Sequence, residues 1–164
     1  MKDASTPKLL SRIEQDWRIA RPDLDPEPML TVIAVQRTSG QLQAELEAFF
    51  AGHDLTPSAF DVLATLRRSA PPEGLTLGEL SALMAITPPA VTKRVDALSA
   101  RQLIERLPDT SDRRAIRARL TATGRTLIDS LLPQHLANEE RLLAALSVTE
   151  RRTLRALLGR IGVK

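Results

Sequence analysis

Apolar residues recur three and four positions apart along most of the chain, a pattern that predicts a mainly helical protein. We expect a first helix from Pro7 to about Arg21, a second and longer one from about Pro28 to Gly52, and a third over residues 58–68. A proline-rich stretch at 21–28 separates the first two helices. Gly52 is expected to end the second helix, because glycine is favoured just beyond a helix terminus.

The stretch from Leu75 to Leu120 changes character part-way along. Residues 75–84 have leucines at helical spacing, and a tight connection, Ala85-Ile86, leads into a second helix. Thr87 is placed as the N-cap of that helix and Pro88 as its first residue, where a missing N–H costs nothing. Two short alternating runs, LIERLP and AIRARLT, then flank the polar loop DTSDRRA and predict a β-hairpin.

Two short helices, a tight turn and a basic-tipped hairpin indicate a winged helix-turn-helix. The second helix of such a unit can enter the major groove of duplex DNA, while the hairpin tip reaches the neighbouring backbone or minor groove. At about 100° per residue, Val91, Val95 and Leu98 share the inward face. Lys93 points outward, with Pro89 and Asp96 near it. Our candidate DNA contacts are Thr87, Pro89, Ala90, Thr92, Lys93, Arg113 and Arg114.

Arg94 is the anomalous residue of this second helix. It lies about 60° from the centre of the apolar face, so its side chain should point in a different direction from that of Lys93. A guanidinium turned towards its own protein needs a partner in a buried site or a cleft.

Two further helices are predicted after the hairpin. Thr121 opens a long one that runs to about Leu146 and that Pro133 should kink or break. Ser147 starts the last one, which ends near Gly162. Leucine stripes along both expose more apolar surface than the DNA-binding unit can cover, so we expect a two-fold dimer. The alternative is one intramolecular core in a monomer.

Composition narrows the class of protein. The chain has 164 residues, 43% of them hydrophobic, and no cysteine, which favours one domain without disulfides or thiolate metal sites. It has no secretory signal and no apolar run of membrane-spanning length, so we expect a soluble cytoplasmic protein. The net charge is only +3, yet residues 87–119 contain eight cations and four anions, a local net charge of +4. The clustering favours a DNA-binding face over an ordinary solvated one.

An enzyme is not expected. His53 and His135 are the only histidines, each alone in its segment. There is no glycine-rich phosphate loop and no metal or cofactor motif. A helical interaction protein with an incidental basic wing remains an alternative.

The sequence resembles the MarR family of dimeric winged-helix regulators over nearly its whole length. The resemblance rests on LTPSAFDVL, LTLGELSALM and TPPAVTKRVDALSARQLIERLPDTSDRRAIRARLTATG, and above all on the wing motif that begins at Asp109. It implies a single domain, 1–164, with dimerisation helices at 1–56 and 121–164 and a DNA-binding lobe at 57–120. It also implies that Arg113 reaches the minor groove, that Asp112 orients nearby basic side chains, and that the operator is pseudo-palindromic.

A narrower resemblance is to the urate-responsive members, whose ligand site contains a Trp, an Asp and two Arg. It implies that Trp17 packs on the ligand, that Asp61 accepts a ligand N–H or is repelled by its charge, and that Arg94 and Arg106 pair with a urate anion. The chain would then be a repressor released by urate or a similar planar aromatic anion.

From the residues alone, these positions also have plainer interpretations. Trp17 fits core or dimer packing, Asp61 an ordinary surface acid, and Arg106 a wing-root cation facing a phosphate. A different ligand, or none, also remains open. Only Arg94 is anomalous by periodicity.

Overall fold

The computed structural model describes residues 5–109, 112 and 115–162. Within them the protein is mainly helical, with a small three-stranded antiparallel sheet in the order β1-β3-β2, which confirms the predicted fold class. The elements, in chain order, are α1 (Thr6–Ala20), α2 (Glu27–Ala51), α3 (Pro57–Ser69), β1 (Leu75–Thr76), α4 (Leu77–Met84), α5 (Pro88–Ala100), β2 (Ile104–Pro108), β3 (Ile116–Leu120), α6 (Ala122–Leu142) and α7 (Val148–Leu158).

The hairpin prediction is confirmed, but the third strand was missed. Strand β2 pairs with β3, with Arg106 opposite Ala118, and β1 pairs with the other edge of β3, with Leu75 opposite Ala118. The sequence predicted Leu75 and Thr76 as the start of the helix. Thr76 instead uses its side chain to accept from the backbone N–H of Glu79 and so caps α4 from outside. Two residues are too few to show an alternating pattern.

Two compact units divide the chain, Met1–Ala48 and Phe49–Lys164. The first contains α1 and most of α2, and its large apolar side chains are largely exposed, among them Trp17, Ile19, Met29 and Val32. The second has a continuous hydrophobic core, to which α3, α5, β2 and α6 all contribute. Its fully buried side chains include Phe50, Leu63, Leu80, Val91, Val95, Leu98, Ile104, Ile128 and Leu131.

Helices α2, α4 and α5 end in the same way, on a non-glycine residue with left-handed backbone. These residues are Asp54, Ala85 and Gln102, with φ of 53°, 52° and 58°. After each, an amide bonds back to a carbonyl five residues earlier, as Leu103 does to Leu98 at 3.0 Å, which is the Schellman arrangement. Gly52 directly follows the last residue of α2, as predicted, but the left-handed residue comes later. It is Asp54, two positions along.

Helix α6 differs from its predicted form in two respects. It continues through Pro133, so of the predicted kink or break the break is absent. Asp129, whose carbonyl loses its amide partner, is exposed, so water can satisfy that group. The helix also ends at Leu142 rather than Leu146, because the Arg151 guanidinium bonds the carbonyl oxygens of Leu143 and Leu146, both at 2.9 Å.

Helix α6 approaches the start of the hairpin without an intervening side chain. The Thr121 N–H donates to the Leu103 carbonyl at 3.1 Å, and a Cβ at Gly124 would collide with that same carbonyl oxygen. Gly124 is therefore required where α6 meets the base of the wing.

Candidate nucleic-acid interface

Helix α5 presents its apolar face inward, as its periodicity predicted. Val91, Val95 and Leu98 are buried. Thr87 occupies the N-cap position and Pro88 begins the helix, both as predicted, although the Thr87 side chain makes no capping bond. Fixed φ at Pro88 therefore defines the helix start more than side-chain capping does.

The opposite face of α5 has the small, polar character expected of a DNA-reading helix. Thr87, Pro89 and Lys93 are exposed, while Ala90 and Thr92 are partly covered. The Thr92 hydroxyl donates to the Pro88 carbonyl at 3.1 Å, which holds it close to the helix backbone. The two predicted wing contacts, Arg113 and Arg114, lie outside the described residues.

A cleft of about 750 Å³ lies between the start of α3 and one side of α5. We call it the α3–α5 cleft. Its first wall is formed by Ala51, Asp54, Leu55, Thr56, Ser58 and Ala59, and its second wall by Ala90, Lys93, Arg94, Ala97, Leu98 and Arg101. Most of these side chains are small or apolar; the cations lie along α5 and just beyond its end, and Asp54 contributes a carboxylate to the first wall.

Lys93 and Arg94 both line the α3–α5 cleft. The expectation that their side chains face different surroundings is therefore wrong, because a wide cleft admits long side chains from neighbouring helix positions. Arg94 is half-buried, and within the described part of the chain neither residue makes a hydrogen bond or an ion pair. Arg94 thus faces a cleft, as expected, but without the protein partner that a guanidinium usually has.

Arg101 closes one end of the cleft and was not predicted. Its guanidinium donates to the Asp54 carbonyl oxygen at 2.7 Å and to the Asp54 carboxylate at 2.9 Å. The tether joins the C-terminal end of α5 to the turn that precedes α3. Ala90, Arg94, Ala97 and Arg101 follow one another at spacings of three or four, so the helical period could have identified Arg101 as a cleft residue.

The other predicted ligand residues do not line the α3–α5 cleft. Arg106 of β2 pairs with Asp96 of α5, and Asp61 is exposed on α3. Trp17 belongs to the first unit, where it lines a cavity of about 260 Å³ with Leu24, Asp25, Pro26, Pro28 and Met29. Of the four residues, only Arg94 lines the α3–α5 cleft.

The base of the wing contains an ionic network that the sequence analysis missed. The Asp109 carboxylate is buried and pairs with Arg117. Glu79 lies across from them, with a carboxylate oxygen 3.9 Å from the same guanidinium. Hydrogen bonds from the backbone N–H and hydroxyl of Thr76 hold the pKa of Glu79 below its ordinary value, and the charge of Arg117 lowers this pKa further.

The described residues give no support for a metal site. No group of three or more His, Asp or Glu side chains among them could hold an ion. His53 and His135 both pack on Phe49, with ring centroids 4.9 and 5.8 Å away, so each belongs to an aromatic cluster. In the same part of the chain, no helix has both the length and the apolar character needed to cross a membrane.

Comparison with known proteins decides the family. The model of the MarR family matches residues 53–115, which span the start of α3 through the wing loop. The regulator PecS of Dickeya dadantii is 37% identical over 152 residues, covering 93% of this chain and 92% of its own length. The chain belongs to the MarR family.

Solved structures of the family agree with the fold. Escherichia coli MarR bound to operator DNA superposes with a TM-score of 0.73 at 23% identity, covering 83% of this chain and 96% of its own. Bordetella bronchiseptica BpsR, whose DNA binding is regulated by 6-hydroxynicotinic acid, gives a TM-score of 0.69 at 24% identity over 80% and 97%. This MarR-family protein is a DNA-binding transcriptional regulator, and its named relatives are regulators rather than enzymes.

Proposed function

We propose that this MarR-family regulator is a homodimeric repressor that a small planar aromatic anion, urate or a close analogue, releases from a pseudo-palindromic operator. The observation that carries the ligand part is Arg94, which lines the α3–α5 cleft on α5 and makes no hydrogen bond or ion pair among the described residues. Such a regulator acts on the chromosome, so we place it in the cytoplasm.

For DNA binding, α5 supplies the major-groove contacts and the wing supplies the outer ones. Thr87, Pro89, Ala90 and Thr92 are small enough to let the helix approach base edges closely, and Lys93 can reach a phosphate. Arg113 and Arg114 are proposed wing contacts from their place in the family motif. Two copies of this unit, one helical turn of DNA apart, would read two half-sites.

Exposed apolar side chains support the proposed dimer. On α6 and α7, Leu136, Leu157 and Leu158 are 55%, 51% and 44% exposed, and a row of leucines at helical spacing seldom stays in water. We propose that residues 1–56 and 121–164 form the dimerisation region of one domain and residues 57–120 its DNA-binding lobe. The first unit adds its own exposed apolar groups, including Ile19 and Val32.

The α3–α5 cleft suits a planar organic anion. Lys93 and Arg94 offer two cations, and a guanidinium binds planar carboxylates or enolates through two parallel hydrogen bonds. The start of α3 lies on the opposite wall, where helix amides add partial positive charge. Leu55, Ala97 and Leu98 supply apolar surface for a flat ring. Roles for Trp17, Asp61 and Arg106 remain predictions from the urate-responsive resemblance.

Ligand and DNA would compete through α5. A ligand releases DNA only if it binds the DNA-incompetent state better, and a 100-fold loss of DNA affinity requires about 2.7 kcal/mol of coupling. One or two charge-assisted hydrogen bonds, at about 1.5–3 kcal/mol each, are of that size. An anion that draws Lys93 and Arg94 into the cleft would remove the phosphate contact of Lys93 and at the same time shift α5.

The test follows urate binding and DNA release in the same titration. Trp17 is the single tryptophan, so its fluorescence is recorded as urate is added, with free tryptophan as the control for absorption by urate. Release of operator DNA is measured in parallel. Arg94→Ala should remove both responses while DNA binding without urate persists. Arg68→Ala, an exposed α3 arginine outside the cleft, is the matched control and should respond like wild type.

Each outcome separates one part of the proposal from the rest. DNA release without quenching would keep the cleft and remove Trp17 from the ligand site. No response to urate would reject urate, and 6-hydroxynicotinate, the planar aromatic anion that regulates BpsR, becomes the next ligand. DNA affinity that does not fall with salt would contradict the proposed phosphate contacts of Lys93 and the wing arginines.

A further inference from the structure

The wing loop, residues 109–115, is closed at its root by one buried carboxylate. Asp109 is 5% exposed, and its carboxylate accepts from the Asp112 backbone N–H at 2.8 Å. The backbone N–H of Asp109 donates to the Ala115 carbonyl at 3.0 Å, and the Ala115 N–H donates to the Asp112 carbonyl at 2.9 Å. Asp109 therefore holds both ends of the loop that carries Arg113 and Arg114.

Arg117 connects this carboxylate to a distant part of the chain. Its Nε donates to Asp109, and its Nη1 donates to the Gly74 carbonyl oxygen at 2.8 Å. Nη1 also lies 3.9 Å from the Glu79 carboxylate, in the first turn of α4. The Arg117 side chain is only 20% exposed. One guanidinium thus joins the wing loop, the turn before β1 and the helix that precedes α5.

We propose that Arg117 is a positioning residue for DNA binding, which fixes the wing loop relative to α4 so that the wing arginines meet the DNA while α5 lies in the groove. The inference rests on the wing contact in the proposed function. In this role Arg117 makes no DNA contact of its own; its Nε and Nη1 donate to Asp109 and Gly74.

The chemistry of the site requires arginine. A guanidinium presents several N–H groups in a rigid plane and can hold a carboxylate and a carbonyl at fixed angles, which the single ammonium of lysine cannot. Removing Arg117 would take the guanidinium away from a buried carboxylate, and the ionic link from Asp109 to Gly74 and α4 would be lost.

Strand β3 offers a matched control in Arg119. Its Nε donates to Glu105 at 2.8 Å and its Nη1 to the Pro72 carbonyl at 3.2 Å, so it also joins an acid to the turn before β1. Neither of these partners belongs to the wing loop. Arg119→Met therefore removes comparable bonds without releasing the loop.

The experiment is a double-mutant cycle between Arg117→Met and Arg113→Ala in the full-length protein. The probe is an operator duplex selected from a randomised library with the wild-type protein. Each single variant should weaken DNA binding about tenfold and reduce the salt slope by about 1, because one wing contact is lost. In the Arg113→Ala background, Arg117→Met should change affinity by much less than about tenfold, because only the Arg114 contact is left to misplace, and with both wing arginines replaced by Ala by less than about twofold. Arg119→Met should bind like wild type.

The controls separate positioning from folding. Circular dichroism confirms that each variant is folded at the assay temperature, and Arg117→Lys, which keeps the charge, is measured in case Arg117→Met does not fold. Lysine should recover less than half of the lost salt slope. Additive losses in the double variant, or an Arg117→Met protein that binds like wild type, overturn the positioning role. An Arg113→Ala protein that binds like wild type overturns the wing contact itself.

Discussion

Arg106 of β2 is ion-paired with Asp96 on α5, so an edge strand of the sheet is tied to the helix that we propose reads DNA. The two side chains are 35% and 50% exposed, and a pair this exposed contributes at most about 1 kcal/mol to stability. Its importance is electrostatic. Asp96 places a negative charge on the face of α5 that we propose meets phosphates, and it pairs with Arg106, a cation that could otherwise bind DNA or an anionic ligand.

Asp96→Asn is expected to tighten DNA binding by roughly three- to tenfold at low salt, because it removes the negative charge and frees Arg106. The free energy of unfolding should change by less than about 1 kcal/mol. Fluorescence anisotropy with operator DNA over a salt series measures the effect. The charge-matched control is Asp16→Asn on α1. Weaker DNA binding by Asp96→Asn would show that the pair holds α5 in its binding position.

Lys93→Ala is expected to weaken operator binding and to lower the salt slope by about 1, the value for one phosphate contact. Lys8→Ala, an exposed lysine of α1, should leave both quantities unchanged. The same anisotropy titrations apply. An unchanged slope for Lys93→Ala would mean that Lys93 serves only the cleft.

Ala85→Gly is expected to raise the free energy of unfolding by about 0.5–1 kcal/mol. Left-handed backbone costs an L-residue about 1–2 kcal/mol, and the greater freedom of glycine in the unfolded chain offsets part of this gain. Urea denaturation measures it. Ala82→Gly, in the same helix but with helical backbone, is the control and should lose about 1 kcal/mol. Destabilisation by both substitutions would contradict the left-handed assignment at Ala85.

The protein should lose stability in acid partly through Glu79. Its pKa is lowered on folding, so the unfolded chain binds the proton more readily. The stabilising contribution of Glu79 is therefore fully present above the unfolded pKa of about 4.3. It is lost as the pH falls through the lower folded pKa. Glu79→Gln keeps an acceptor for Thr76 but cannot titrate, so its stability should fall less steeply between about pH 5 and 3. Glu73→Gln, which removes the same charge without touching the capping box, is the comparison in urea unfolding at each pH.

Local sequence patterns were sufficient for the helices and the hairpin between residues 57 and 120, but not for the two-residue strand β1. Thr87 and Pro88 marked the start of α5, and the buried positions Val91, Val95 and Leu98 followed from a helical repeat. The start of α6 was likewise marked by Thr121, whose hydroxyl accepts from the Gly124 N–H at 2.9 Å. These features depend on residues close together in sequence, which is why the pattern contains them.

The features that the sequence did not predict depend on distant partners. The residues near Arg117 do not predict its bond to Gly74, which is 43 positions away. Arg101 likewise pairs with Asp54 at a separation of 47. The composition of residues 143–146 predicted helix. The bonds that end α6 there come from Arg151 in the following helix, which the local pattern does not contain. Gly52 correctly marked the end of α2, but nothing in the local sequence indicated that the left-handed residue is Asp54.

The contact at Gly124 has a mechanical consequence. With no side chain between the backbone of α6 and the Leu103 carbonyl, the joint has no compressible layer and little room for slip. A rotation of α6 would therefore carry the base of the hairpin with it. In the proposed dimer, the angle between the two partners' α6 helices would therefore set the distance between the two wings.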